Sequence, residues 1–593
     1  MTAPSEGSNR GAIVYANVCA ACHDRGVGHA PPGFMLRIMT PETIYRVLTA
    51  GPMRVQAQDV PDSDKKAVAE YLAGTKLGEN VKRTPPKCAG EAAVFQFGEP
   101  PAFPTWGISY SNTRYIPKVV SGITSENVSQ LKLKWAFGVP GVTRMRSLPG
   151  FAGGAIYVGT DDGTVYALDA RSGCERWEFQ AAAEVRTGIV ISPWNAGDRQ
   201  ARPLAYFGDL VGNVYAVDAV TGALAWSDHV DEHPSATITG SPVLYKDRLY
   251  VPVSSLEEGM TDPRYECCTF RGSIIAYDAR SGKRLWQTFM MGPPALQGTN
   301  VHGINQYGPS GAAIWNTPAI DEERRLLYFG TGDNYSSPAN AISDSLVAVD
   351  TNVGGITWSY QTVPNDAWNE ECLTLDPANC PKEKGPDVDI AASVILATMK
   401  SGKQLIVVGQ KSGWVYAIDP HTHNLVWKTR VGRGGLLGGI YFGMATAGNT
   451  LFVPISDAPD GAAHDEPARP GLYALDLRDG SYLWKAPNTE TSCAGRRRGC
   501  DPGLAAAITV AGDLVLTGGS DGWLRFYDTT TGQILWRYDT TQSVLTTSGR
   551  EAAGGSMGGG TSPLAYHGML IAVSGYGFFG HMPGNIMLVF GVN

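Results

Sequence analysis

Beyond residue 130 the chain repeats one phrase: a run of alternating apolar and polar positions, an aspartate, a polar turn, and a second run ending in tryptophan. Alternation with a period of two marks a strand with one buried face, and a polar turn between two such runs marks a hairpin. Full copies run from Tyr166 to Trp177, Tyr215 to Trp226, Ile275 to Trp286, Val347 to Trp358, Tyr416 to Trp427, Tyr473 to Trp484 and Arg525 to Trp536. Trp135, closing Leu131-Lys132-Leu133-Lys134-Trp135, precedes them as an eighth tryptophan. Successive tryptophans lie 42, 49, 60, 72, 69, 57 and 52 residues apart, a repeat length that means propeller blades. Eight tryptophans predict eight blades, each ring docked between neighbours. The long fourth and fifth intervals predict loops inserted over one face, where a propeller keeps its site.

The first eighty residues follow a helical pattern instead. Thr40-Pro41-Glu42 reads as an N-cap with proline in the first turn, and Ile44, Val47 and Leu48 share a face before Gly51. A second helix is expected from Ser63, with Val68, Tyr71 and Leu72 as its stripe and Gly74 as its stop. Between the start and these helices stands Cys19-Ala20-Ala21-Cys22-His23. Two thiols at this spacing reach the two vinyl groups of one porphyrin, and the next histidine lies under the iron. A zinc half-site would need a second Cys-x-x-Cys, and none exists. The segment resembles class I cytochrome c over roughly residues 8 to 76, which implies one covalent haem c with His23 as an iron ligand. Methionine is the usual sixth ligand. Met35, Met39 and Met53 are candidates, and Met53, in Gly51-Pro52-Met53, stands where such cytochromes keep theirs.

Composition narrows the rest. With 43% hydrophobic residues, 72 glycines and 38 prolines in 593 residues, the chain is globular and rich in turns. A net charge of −8 argues against a nucleic-acid groove. No apolar run approaches the ~20 residues that span a bilayer. The start, Met1 to Glu6, carries no basic stretch followed by an apolar one. Covalent haem c is attached outside the bacterial cytoplasm, so a periplasmic protein with its leader removed is expected. That compartment permits disulfides. Cys372 and Cys380 can close one small loop and Cys493 and Cys500 another, with Cys88 and Cys174 left for a long-range pair. Connectivity stays open in the sequence.

The expected organisation is a small all-α cytochrome c domain (1–76), a proline-rich linker (77–105) and an all-β eight-bladed propeller (106–593). From about residue 105 onward the repeats resemble the eight-bladed quinoprotein alcohol dehydrogenases. That resemblance implies pyrroloquinoline quinone (PQQ) and calcium at the propeller centre. Trp315, ahead of Thr331-Gly332-Asp333, matches the tryptophan that stacks under the quinone. Arg186, in Val185-Arg186-Thr187-Gly188, matches the arginine on a quinone carboxylate, with Thr239 a further contact. Lys411 stands where the family keeps a cation near the reactive carbonyl. For calcium the resemblance gives Glu258, favoured over Glu257, and Asp333, which replaces a usual asparagine and has Asn334 beside it. Cys267-Cys268 matches the family's adjacent-cysteine pair in kind but falls after Glu258; the stretch before Arg186, where such a pair covers the quinone, is Ala181-Ala182-Ala183.

One departure concerns the catalytic base. Relatives carry Asp-x-Trp-Asp with the second aspartate as base, whereas this chain has Asp366-Ala367-Trp368-Asn369. An amide cannot accept the hydroxyl proton, so Asp366 becomes the expected base, with Lys411 beside the reacting carbonyl and Asp333 as the fallback. The expected activity is oxidation of an alcohol, secondary, polymeric or bulky, with electrons passed through the haem to an external acceptor such as a cytochrome c or an azurin-like carrier. A non-catalytic assembly propeller would explain the repeats but not the haem motif. A haem-dependent nitrite reductase would need a second Cys-x-x-Cys-His. Glycine pairs such as Gly153-Gly154 lack the strand-turn-helix setting of a nicotinamide site.

Overall fold

The computed structural model describes residues 6–24, 30–78 and 85–592. The reading of the first five residues lies outside them. No helix among the described residues is long and apolar enough to cross a membrane.

Eight sheets, six of four strands and two with a fifth strand added to a four-stranded antiparallel core, form the body of the molecule. The first runs Gly150–Ala152, Ala155–Gly159, Thr164–Asp169 and Glu175–Gln180. The eighth is closed by sequence-distant segments: Lys132–Gly138 pairs with Ile586–Gly591 at its outer edge. Trp135 therefore belongs to the last blade.

The repeated phrase explains how blades join. Its aspartate caps the hairpin turn: Asp169 Oδ1 accepts the backbone N–H of Ser172 at 3.0 Å, and Asp218 Oδ1 that of Thr221 at 2.8 Å. The turn ends on a glycine with positive φ, 70° at Gly173, and the preceding blade's tryptophan lies over it. A Cβ on Gly173 would come within 2.6 Å of the Trp135 ring. The same rings donate Nε1–H to the turns they cover, Trp135 to Ala170 O at 3.2 Å and Trp177 to Ala219 O at 3.1 Å. Where the fifth blade has His423 in place of that glycine, also at positive φ, the imidazole stacks on Trp358 at 4.3 Å. Truncating one such buried ring typically costs about 3–5 kcal/mol.

The stretch between the linker and the first blade has no period, and it closes one end of the central channel. Trp106 and Arg114 are buried there, the guanidinium 4.1 Å from the indole. Arg114 donates to Ile508 O at 2.6 Å, and Asn112 to Thr317 O and Val394 O at 2.9 and 3.1 Å, so this segment touches several blades at once. Residues 85–105 run along the first blade, pinned by the Cys88–Cys174 disulfide and by Arg176 donating to Ala92 O.

The haem-motif domain sits over the opposite end. Its helices include Pro41–Thr49, capped by Thr40 Oγ1 accepting from Thr43 N, and Asp62–Ala73, which starts one residue before the expected Ser63 and stops at left-handed Gly74. Cys19 and Cys22 are the two cysteines outside the four disulfides, Cys88–Cys174, Cys267–Cys268, Cys372–Cys380 and Cys493–Cys500. His23 is buried and donates Nδ1–H to Pro31 O at 2.6 Å, which leaves Nε2 as its ligand atom. Met35 is 0% exposed and packed on Ala183 and Leu210 of the propeller, so it is committed elsewhere. Met39 packs with both domains, and Met53 lies half-buried in the turn Pro52–Arg54.

Candidate active site

Blade geometry brings the expected site residues together. Arg186, Thr239 and Trp315 each stand four residues ahead of the first strand of the second, third and fourth blades, at Val190, Val243 and Ala319. Equivalent positions in successive blades face one channel. Arg186 donates to Thr239 Oγ1, and its Nε has no partner among the described residues. Burial, with Arg146 close by, lowers the Arg186 pKa to about 9. Glu184, which could have neutralised it, is instead held by Arg146 at 2.7 and 3.0 Å and by Arg144 at 3.3 Å. A buried guanidinium without its own carboxylate suits an anionic ligand. Trp315 meets Phe442 and Tyr441 at interplanar angles of 74° and 57°, so neither ring covers an indole face. A flat anionic cofactor fits this pair.

The second strands of the third and fourth blades lead to Glu258 and Asp333, and the loop ahead of the fifth blade brings Asp387. Carboxylate oxygens of Glu258, Asp333 and Asp387 lie within 4.8 Å of one another. Asp333 is 0% exposed and neither of its oxygens has a partner among the described residues; Asp387 Oδ2 also has none. Burial and then Asp389 push Glu258 up to about 8, and burial with Glu258 raises Asp333. Three carboxylates this close, two of them buried, are ionised together only in the company of a cation, and their hard oxygens suit calcium. Lys411 Nζ binds Asp387 Oδ1 at 2.5 Å and reaches Asp389 Oδ2 at 3.4 Å. Burial alone would lower the Lys411 ammonium, but these aspartates outweigh it and hold it protonated.

The two adjacent glutamates separate cleanly. The strand ends at Ser255, and a tight turn, Glu257–Gly259, sends them apart. Glu257 accepts from Thr269 N, Phe270 N and Tyr265 Oη at 2.8–2.9 Å, and so fastens the Cys267–Cys268 loop. Glu258 alone joins the cluster. Asn334 is spent on Ser310 O and Asn340 N. Cys267–Cys268 is buried in the same apolar cluster as Tyr335, against which Trp315 packs.

Asp366 does not project into this cluster. Its oxygens accept backbone N–H from Asp387 at 3.3 Å and Val388 at 3.1 Å, while burial lifts its pKa to about 6. The turn it braces needs Gly385, where a Cβ would lie 2.0 Å from Asp366 Oδ1. Asn369 donates to Tyr335 O and Asn379 O, both at 2.9 Å, and accepts from Glu371 N. Both residues therefore shape the inserted loop, and the carboxylates it presents are Asp387 and Asp389. Sequence reasoning missed these two. They stand eight and six residues ahead of the fifth blade's first strand, Ile395–Thr398, outside the four-residue offset that Trp315 keeps, so the repeat gave no signal for them.

The haem domain reaches this site directly. A Cβ on Gly259, next to Glu258, would lie 3.4 Å from the Phe34 ring, and Phe34 is three residues beyond Pro31, the partner of His23. Arg144, bonded to Glu184 and Asp161, also donates to Ile38 O at 2.5 Å.

Residues 103–431 match the family described as "Glucose/ethanol/alcohol dehydrogenase, beta-propeller domain", residues 411–576 "Outer membrane protein assembly factor BamB", and residues 7–72 "Cytochrome C oxidase, cbb3-type, subunit III". Fold and site together define a PQQ-dependent alcohol dehydrogenase joined to a cytochrome. The chain is 34% identical to a polyvinylalcohol dehydrogenase of a Pseudomonas species, over 98% of this chain and 93% of that protein. A second one, from a Sphingopyxis species, is also 34% identical, over 95% and 89%. The chain belongs to the polyvinylalcohol dehydrogenase family. The solved quinohaemoprotein alcohol dehydrogenase from Pseudomonas putida shares its fold, with a TM-score of 0.61 and 21% identity over 86% of this chain and 82% of that one. The Comamonas testosteroni structure gives 0.60 and 20%, over 84% and 80%.

Proposed function

We propose that this protein is a periplasmic, calcium-dependent quinohaemoprotein that oxidises secondary hydroxyls, including those of polyvinyl alcohol, and hands electrons to an external cytochrome c or azurin-like carrier. The close trio Glu258, Asp333 and Asp387 beside Lys411, its two aspartates buried, carries the reading: a binding scaffold has no use for carboxylates that only a cation can keep charged. When bound, the quinone and calcium supply the electron acceptor and its Lewis acid, and the haem passes electrons on singly. Glu258 and Asp333 would hold the metal. Arg186 and Thr239 would hold the cofactor's carboxylate end, Trp315 one of its faces, and Cys267–Cys268 a neighbouring wall. Cys19, Cys22 and His23 would fix the haem covalently, with Met53 as the sixth iron ligand.

Asp387 is the residue we assign to take the hydroxyl proton. Its Oδ1 is on Lys411, which fixes the carboxylate, and its Oδ2 is buried without a partner among the described residues. Asp366 serves by holding the Asp387–Val388 backbone in place. A panel of secondary alcohols with a dye acceptor tests the reading. Oxidation that requires both added quinone and calcium is expected; activity with neither, or none with both, would reject it.

A further inference from the structure

Between the haem-motif helix and the third blade runs a cleft of about 870 Å³. On that helix Ala16, Ala20, Ala21 and Asp24 line the cleft, while Tyr15 and His23 are buried. Cys19, Cys22 and His23 are not among the residues that line it. Its other wall belongs to the active-site loop. Tyr265, in that wall, donates its hydroxyl to Glu257, the neighbour of Glu258. Tyr307 donates its backbone N–H to Cys267 O at 2.8 Å, and Cys267 Sγ lies 3.9 Å from Asn369 Nδ2. The Tyr307 hydroxyl, half-buried and lining the cleft, bonds to no described residue.

We propose that this cleft binds the unreacting part of an extended, multiply hydroxylated chain whose hydroxyl is being oxidised at the Glu258–Asp387 cluster; this rests on the alcohol-oxidising reading above. Three features select that ligand class. Alanines on one side leave width for a continuous chain. The Tyr265 and Tyr307 rings on the other side offer flat surface, and the Tyr307 hydroxyl offers a polar tip. The nearby Arg264 is paired with Asp262 at 2.9 Å, so the cleft holds no spare cation for an anionic ligand. A second groove, about 770 Å³, opens on the other side of the haem domain, but it borders Arg144 and Asp161 rather than the metal cluster.

The test compares polyvinyl alcohol with pentane-2,4-diol, a two-hydroxyl fragment, on the holoenzyme. Ala16→Trp narrows the cleft from the haem side, and Tyr307→Phe removes one hydroxyl from the other. Each is expected to raise KM for the polymer about three- to tenfold, the usual worth of one such contact, with kcat kept. KM for the diol should stay within a factor of two. Calorimetric titration of polymer into the same proteins should show a matching loss of affinity. Unchanged polymer KM in both variants, or equal rises for polymer and diol, would overturn the proposal. An enzyme that oxidises the diol but not the polymer would also overturn it while leaving the activity intact; one that oxidises neither would overturn the activity itself.

Discussion

Asp387→Asn is expected to cut turnover by about 10²- to 10⁴-fold, the range a positioned general base contributes, while the protein still binds quinone. The substitution keeps the side chain's shape and its contact with Lys411, but removes the charge that accepts the proton. Asp366→Asn should act differently. One amide oxygen can still accept from Asp387 N or Val388 N, and the other position turns a donor toward a donor, so the inserted loop loosens. A lower melting temperature with a moderate loss of kcat is the expected signature. Asn369→Asp should not restore a base, because it would set a carboxylate against Tyr335 O and Asn379 O. Stopped-flow rates at saturating alcohol, with melting curves for each variant, separate the three. Normal turnover in Asp387→Asn would move the base to Asp389 or Asp333.

Legibility in the sequence followed periodicity. The blade count could be read because seven of the eight tryptophans cover a turn in the next blade, so ring and turn recur together, while Trp536 packs on Phe590 of the closing blade. Arg186, Thr239, Trp315, Glu258 and Asp333 converge because they keep fixed offsets from strands. Cys19, Cys22 and His23 need no long-range information at all. What escaped lay where the chain leaves its repeat. Asp366 looked like the base because it is three residues from Asn369 in the chain, yet its carboxylate is consumed by backbone N–H groups twenty-one and twenty-two residues later. Asp387 and Asp389 sit in an insertion that carries the Cys372–Cys380 disulfide and has no counterpart in other blades. The plug of Trp106 and Arg114 was hidden for the same reason, since its partners come from blades far along the chain. Trp135 could be counted from the repeat, but its place in the last blade could not, because ring closure joins the two ends of the chain.

The second large effect should fall on the metal. Glu258→Gln removes one charged oxygen donor from a three-carboxylate cluster, and even changes one shell further out typically weaken metal binding by about 10–100-fold. A loss of at least that size is expected for calcium, read by titration calorimetry and by the metal retained after dialysis. Glu257→Gln should leave calcium affinity within about tenfold and lower the melting temperature instead. Its carboxylate satisfies Thr269 N, Phe270 N and the Tyr265 hydroxyl, and a buried donor left unmet costs about 1–3 kcal/mol. Calcium loss confined to Glu257→Gln would mean that the turn after Ser255 presents the other glutamate to the metal.

The haem spectrum, followed by stopped flow as an alcohol meets the quinone- and calcium-loaded enzyme without oxygen or any external acceptor, tests the joined roles of propeller and haem domain most directly. Reduction of the single haem c within the turnover time, abolished by calcium chelation and restored by calcium, is the predicted result. Alcohol oxidation sustained by a dye while the haem stays oxidised would contradict it.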